Sequence, residues 1–173
     1  MFIDETALSL GMTRRGGRSP LGERLVCKVP FGSWKTMTLV AALRHDRVAA
    51  PMLLEGAMTG EIFRTYITRV LGPTLKRGDI VVMDNVPLHR TSGVREALEG
   101  FGVTVPDFPA YSPDFNPIEM PIGTLKAFLR KLGRRSLRSL TTGVRKGLKL
   151  FSPAECTAYL RHAGYGQPKR KEV

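Results

Sequence analysis

The sequence predicts an α/β domain, a mixed sheet flanked by helices. Apolar and β-branched runs of strand length crowd the first 54 residues. Apolar residues then recur at helical spacing in 59–75 and 117–132. Between those helices lie two more strand-length runs, 80–84 and 103–108, so strands alternate with helices after an initial meander. At 173 residues, 42% of them hydrophobic, the chain is long enough to bury one core without staples.

Residues 2–10 read as the first strand. An Arg/Gly-rich stretch follows, and Leu25–Val29 and Trp34–Leu43 read as two further strands joined through Pro30-Phe31-Gly32-Ser33. Ala49–Leu54 adds a short strand. Ile62, Phe63, Tyr66, Ile67, Val70 and Leu71 mark a helix capped by Thr59 or Gly60 and interrupted at Gly72-Pro73. Strand 80–84, a helix over Ser92–Glu99, strand 103–108, a Pro-rich loop and a helix over Pro117–Leu132 come next. Ser139–Phe151 and Pro153–Ala163 read as two last helices, and 166–173 as a basic tail beyond a domain of residues 1–165.

Charge narrows the partner. Lys and Arg number 27 against 15 Asp and Glu, a net charge of +12. Such a surplus suits a polyanion, because each neutralised phosphate releases counterions. Charge alone fits a dispersed basic surface equally well; its distribution favours the polyanion. Between Glu119 and Glu155 stand Lys126, Arg130, Lys131, Arg134, Arg135, Arg138, Arg145, Lys146 and Lys149 with no acid among them. A second cluster, Arg14, Arg15, Arg18 and Arg24, falls in the Gly/Pro-punctuated stretch, and both clusters could line one DNA groove. Cys27 and Cys156 form no metal-ligand or disulfide pattern, which fits a reducing compartment. No signal peptide and no membrane-length apolar run is legible, so a cytoplasmic, nucleoid-associated protein is expected.

Three acids stand out. Asp4 follows the apolar start Met1-Phe2-Ile3, Asp84 ends Ile80-Val81-Val82-Met83, and Glu119 follows Tyr111-Ser112-Pro113-Asp114-Phe115-Asn116-Pro117-Ile118. A β-branched run stopped by an acid delivers a carboxylate to the carboxyl edge of a sheet, where open α/β sheets bind ligands. The bland readings are a turn for Asp84 and, for Glu119, a capping box in which Asn116 caps the helix and Pro117 fills its first turn. Against capping alone, residues 119, 123, 126 and 130 share one helical face, reading Glu, Gly, Lys, Arg, while Ile118, Ile122, Leu125 and Leu129 form the buried stripe. Three converging carboxylates are the hard-oxygen donors that magnesium takes.

The order of these words resembles the bacterial insertion-sequence branch of the mariner-type DDE transposases. The resembling segments are Phe2-Ile3-Asp4-Glu5, Val82-Met83-Asp84-Asn85 with His89 behind it, and Tyr-Ser-Pro-Asp-Phe-Asn-Pro-Ile-Glu before Leu125-Lys126; 34 residues, 85 to 118, separate Asp84 from Glu119. The resemblance implies an RNase-H-like catalytic domain that cuts and joins double-stranded DNA with two Mg2+ ions, for which Mn2+ substitutes. It assigns catalysis and metal binding to Asp4, Asp84 and Glu119, leaves Glu5 unassigned, and brings in His89 as a group touching a phosphate, touching a nearby carboxylate, or purely structural. Asn85 and Asn116 are expected to orient the carboxylates. DNA contacts are expected from Arg14, Arg15, Arg18, Lys126, Arg130, Lys131, Arg134 and Arg135. Trp34 and Tyr111 either stack on a base or pack the core, and core is the expectation for Trp34.

Two departures matter. Ala110 stands where the family has a second proline, and Pro121-Ile122-Gly123-Thr124 replaces a more helix-friendly stretch, so Pro121 is expected to strain the helix. No recognition helix precedes Asp4, which implies a separately encoded helix-turn-helix part or a truncated copy, acting on paired DNA ends as a homo-oligomer. Two other readings stay open: an RNase-H-like nuclease without strand transfer, and an inactive DNA-binding remnant.

Overall fold

The computed structural model describes residues 1–28, 34–89, 91–107 and 115–166. Its sheet has four strands in the order β3-β2-β1-β4: β1 Phe2–Ser9, β2 Thr36–Leu43, β3 Val48–Glu55 and β4 Val82–Met83. β1, β2 and β3 form the antiparallel meander, and β4 joins β1 in parallel. β1 and β2 are almost wholly buried, as central strands covered on both faces should be. β3 is an outer strand. Its pairing shifts between Val40 and Ala42; Ala50 there has φ of 48° and is followed by the exposed Pro51. Two β3 residues thus oppose one of β2, which is a β-bulge.

Alternation along β1 divides the core. Ile3 faces one side, packing with Val40, Ala42 and the helices α1 (Gly60–Tyr66) and α2 (Val94–Glu99) through Phe63, Tyr66, Val94 and Leu98. Phe2 and Leu8 face the other, packing beneath α3 (Glu119–Leu132), α4 (Leu137–Leu148) and α5 (Pro153–His162). Asp4 therefore lies on the α3 side and Glu5 on the α1 side.

The helices follow their local chemistry. The Thr59 hydroxyl accepts from the Ile62 amide and caps α1, which runs into a π turn at Ile67–Leu71 and a 3-10 turn at Gly72–Thr74 where Gly72-Pro73 stops it. Ser136 with Ser139 and Ser152 with Glu155 form capping boxes at α4 and α5. α3 buries Ile122, Leu125 and Leu129 and ends at Gly133, whose φ of 56° is the left-handed stop. α4 lies close on α3 because Gly147 has no Cβ; one there would run into Leu125 and Phe128.

Several expectations need correction. Leu25 to Lys28 form no strand: residues 14–28 are all exposed, with Leu25 at 46% and Val26 at 79%, so the segment has no face to bury. Trp34 is 75% exposed and not a core residue. Among the described residues, 103–107, the predicted strand 103–108 shows one parallel bridge, Ile80 with Thr104, and β4 is shorter than 80–84. α3 starts at Glu119 with Ile118 at its cap, and no side chain caps it, so Asn116 does not play that part. Pro121 is then the third helical residue, where a backbone N–H has no helical partner to lose, and the expected strain does not arise. The Tyr111 to Asp114 stretch and the tail from 167 to 173 lie outside the described residues.

Candidate active site

β1 and β4 bring the first two acids together through their register. Phe2 pairs with Val82 and Ile3 with Met83, so the next rung sets Asp4 beside Asp84, with Asp84 just past the end of β4. Asp4 is 9% exposed, and its Oδ1 accepts the Glu5 amide at 2.8 Å. Glu119 begins α3, the helix above Asp4's side of the sheet; its amide donates to the Asn116 carbonyl at 3.2 Å.

Electrostatics reports the convergence. Burial, then the Glu119, Glu5 and Asp84 charges, push the Asp4 carboxyl up from 3.8 to about 7, against the pull of the Glu5 amide. Asp84 goes the other way: the close contact with the His89 ring, its charge and the Val86 amide hold it below the usual range, outweighing its partial burial. The two carboxylates are thus driven apart in acidity because Asp4 is buried and faces further acids while Asp84 is half-exposed and has an imidazole beside it.

The imidazole is that of His89. Its side chain is 2% exposed, and its ring lies 4.6 Å from that of Phe63. Nε2 stands 2.9 Å from Glu5 Oε2. Nδ1 lies 3.0 Å from the Asp84 carbonyl and 2.7 Å from Asp84 Oδ1. The Nδ1 hydrogen aligns with the carbonyl, and the carboxylate contact is an ion pair, for Oδ1 is buried with no aligned donor. Burial alone would lower the His89 pKa, but the bonds to Asp84 and Glu5 outweigh it and raise it to about 10. His89 therefore touches two carboxylates, and Glu5, unassigned from sequence, is one of them. No short-range pattern could reveal this contact, since the two residues are 84 positions apart.

Beside Asp84 opens a cavity of about 510 Å³, lined by Asn85, His89, Ser92, Arg95 and Asp107 among others. Arg95 and Asp107 pair across it at 2.6 Å. Asn85 is exposed on its wall. Asn116 is 8% exposed, and its Oδ1 has no hydrogen-bond donor among the described residues.

The donor set fits a hard divalent cation. The groups around Asp4 are carboxylates, and an added positive charge would relieve the repulsion that raises the Asp4 pKa. Among the described residues no group of three or more His, Cys, Asp or Glu side chains stands close enough to hold one ion.

The basic residues divide. Arg14, Arg15 and Arg18 are exposed in the arm between β1 and β2, and Lys131 on α3. Lys126 and Arg130 are half-buried on the face that carries Glu119, and at Gly123 on that face a Cβ would meet nothing. Arg135 is partly engaged: one guanidinium nitrogen donates to the Leu10 carbonyl at 2.7 Å and the Met12 carbonyl at 2.9 Å, while its Nε is unpaired among the described residues. Arg134 is half-buried with its Nε unpaired.

A family model described as DDE superfamily endonuclease matches residues 1–142. No curated protein matches. Solved structures do. The Mos1 strand transfer complex aligns with a TM-score of 0.72 at 19% identity, over 94% of this chain and 51% of that one. The Mos1 mariner paired end complex with Mn gives 0.71 at 19% identity, over 94% and 51%. The catalytic domain of Mos1 mariner transposase gives 0.66 at 19%, over 94% and 74%. This chain thus spans about half the length of the Mos1 chains in those complexes. At such identity the likeness shows the fold, a mixed sheet with flanking helices of the RNase-H-like kind.

Proposed function

We infer that this chain, which belongs to the DDE superfamily endonuclease family, is the catalytic domain of a mariner-type transposase of the bacterial insertion-sequence branch. Residues 1–165 are the catalytic unit and 166–173 a basic tail. It cuts DNA strands at element ends and joins the freed 3′ hydroxyl to target DNA. The observation that carries this reading is the placement of Asp4 beside Asp84 on adjacent parallel strands with the charge of Glu119 acting on Asp4.

Asp4, Asp84 and Glu119 are the residues that would hold two Mg2+ or Mn2+ ions. When bound, the ions lower the pKa of the attacking water or hydroxyl and neutralise the leaving oxygen. The open surface at Gly123 leaves room for a DNA backbone, and Lys126, Arg130 and Lys131 would hold its phosphates. Arg14, Arg15, Arg18 and Arg134 would extend the grip. Support for a DNA partner comes from the Mos1 neighbours, which are described as strand transfer and paired end complexes, two of the latter with Mn and Mg. Paired ends call for at least two copies and for a helix-turn-helix part that reads the end sequence.

The test is Mg2+- or Mn2+-dependent nicking and joining of a labelled duplex, run beside Asp84→Asn. Cutting and joining by the wild type alone is expected. Cutting without joining supports the nuclease reading, and binding without cutting, even with the helix-turn-helix part added, supports the remnant. Wild-type cutting by Asp84→Asn would overturn the acid assignment.

A further inference from the structure

The segment after β4 is held weakly by backbone. β4 has only two rungs with β1, and residues 84–89 have no strand partner. Yet Asp84 must be fixed closely, since a carboxylate displaced by a fraction of an ångström presents a poor donor to a hard ion. Within the segment the Val86 amide helps to hold the carboxylate, but what ties it across to β1 beyond the two rungs of β4 is a side chain.

His89 reaches both parts of Asp84, the carbonyl at 3.0 Å and Oδ1 at 2.7 Å. An imidazole held at one nitrogen can still swing. The second nitrogen is held by Glu5, and Glu5 stands on β1, which is paired on both sides and is the strand that carries Asp4. Phe63 closes the ring's face.

Resting on the transposase reading above, we propose that Glu5 is a positioning residue: through His89 it references Asp84 to the strand that carries Asp4, so that both carboxylates are set from one rigid element. Because Oδ1 is buried against His89 while the Asp84 side chain is 38% exposed, Oδ2 is the oxygen presented outward. Asp4 and Glu5 divide the work by facing opposite sides of β1. Glu5 touches no DNA and no ion in this scheme.

Two readouts test it, both on DNA-free full-length chain. The first is Mn2+ binding followed by electron paramagnetic resonance. Glu5→Ala is expected to weaken Mn2+ binding about tenfold, the scale for loss of a group that orients a metal ligand. Glu5→Gln, which keeps an oxygen acceptor for Nε2–H, should recover most of that, and Glu5→Ala combined with His89→Gln should bind no worse than His89→Gln alone. Merely structural damage would not be rescued by Gln and would add to the His89 loss. The second readout needs no ion: the slowly exchanging His89 ring N–H signals in metal-free NMR spectra should disappear in Glu5→Ala and persist in Glu5→Gln. Unchanged His89 signals or unchanged Mn2+ binding in a folded Glu5→Ala protein would overturn the proposal while Asp84→Asn still loses Mn2+. Equal Mn2+ binding by wild type and Asp84→Asn would instead sink the functional reading, and the NMR arm would still decide the link from Glu5 to His89.

Discussion

Asp4 and Glu5 are neighbours with the same charge, and the sheet gives them opposite circumstances. Glu5, on the α1 side, meets a buried His89 at 2.9 Å. Asp4, on the α3 side, meets further acids, and its pKa climbs to about 7. One side of β1 is closed and internally compensated; the other is left under repulsion that an external cation would relieve. The lesson is that adjacent residues of like charge on one strand can meet opposite fates, and that the face left under repulsion is the one that a cation would relieve.

The largest expected break in this contrast is chemical. Asp4→Asn or Asp84→Asn should lower strand cleavage by at least about a thousandfold, equivalent to roughly 4 kcal/mol of transition-state stabilisation. DNA affinity, measured by fluorescence anisotropy, should stay within about twofold, because phosphate contacts from the basic residues supply it.

A second effect is on stability. The Asp4 pKa in the folded chain lies above its ordinary 3.8, so its contribution is present below that value and is lost as pH rises through about 7. Metal-free protein should therefore show an Asp4-dependent fall in its denaturation midpoint between about pH 4 and pH 7, with a ceiling of roughly 4 kcal/mol. Asp4→Asn should flatten the slope, and Mg2+ should raise stability most at the alkaline end. His89 is raised as well, from 6.5 to about 10, so its stabilisation is full below pH 6.5 and is lost as pH rises from there through about 10. Calorimetry across the pH series checks both.

The same division between engaged and open charge recurs among the arginines, and here the effects are smaller. Arg135→Ala removes two hydrogen bonds to the Leu10 and Met12 carbonyls and should cost about 2 kcal/mol in denaturant unfolding. Lys131→Ala, at an exposed position with no such bonds, should leave stability unchanged and lower the salt slope of DNA binding by about 1. If Arg135→Ala weakened DNA binding without loss of stability, the distinction would be wrong.

Much of this arrangement is legible in the sequence because it is local. A β-branched run stopped by Asp84, and a buried stripe of Ile118, Ile122, Leu125 and Leu129 with Glu119 off it, follow from strand and helix periodicity, and the burial agrees. Thr59 as a helix cap is equally local. What is not legible depends on partners distant in sequence. Leu25 and Val26 have strand chemistry but find no neighbour to pair with or surface to cover. Trp34 reads as core by residue type and is exposed by position. The duties of Glu5 and Arg135 are set by contacts 84 and more than 120 residues away, and Pro121 is harmless only because α3 starts at Glu119.

The bulge at Ala50-Pro51 has a bearing on life at high local concentration. If the proposed function holds, a protein gathered along DNA by its charge is crowded against copies of itself, and an outer strand with free amides invites sheets to merge edge to edge. Pro51 offers no amide, and the bulge bends β3 away from the straight line that a second strand would need. Copies brought close together are thus kept from joining edge to edge, and replacing Pro51 with Val would put solubility at high concentration at risk before it touched the site.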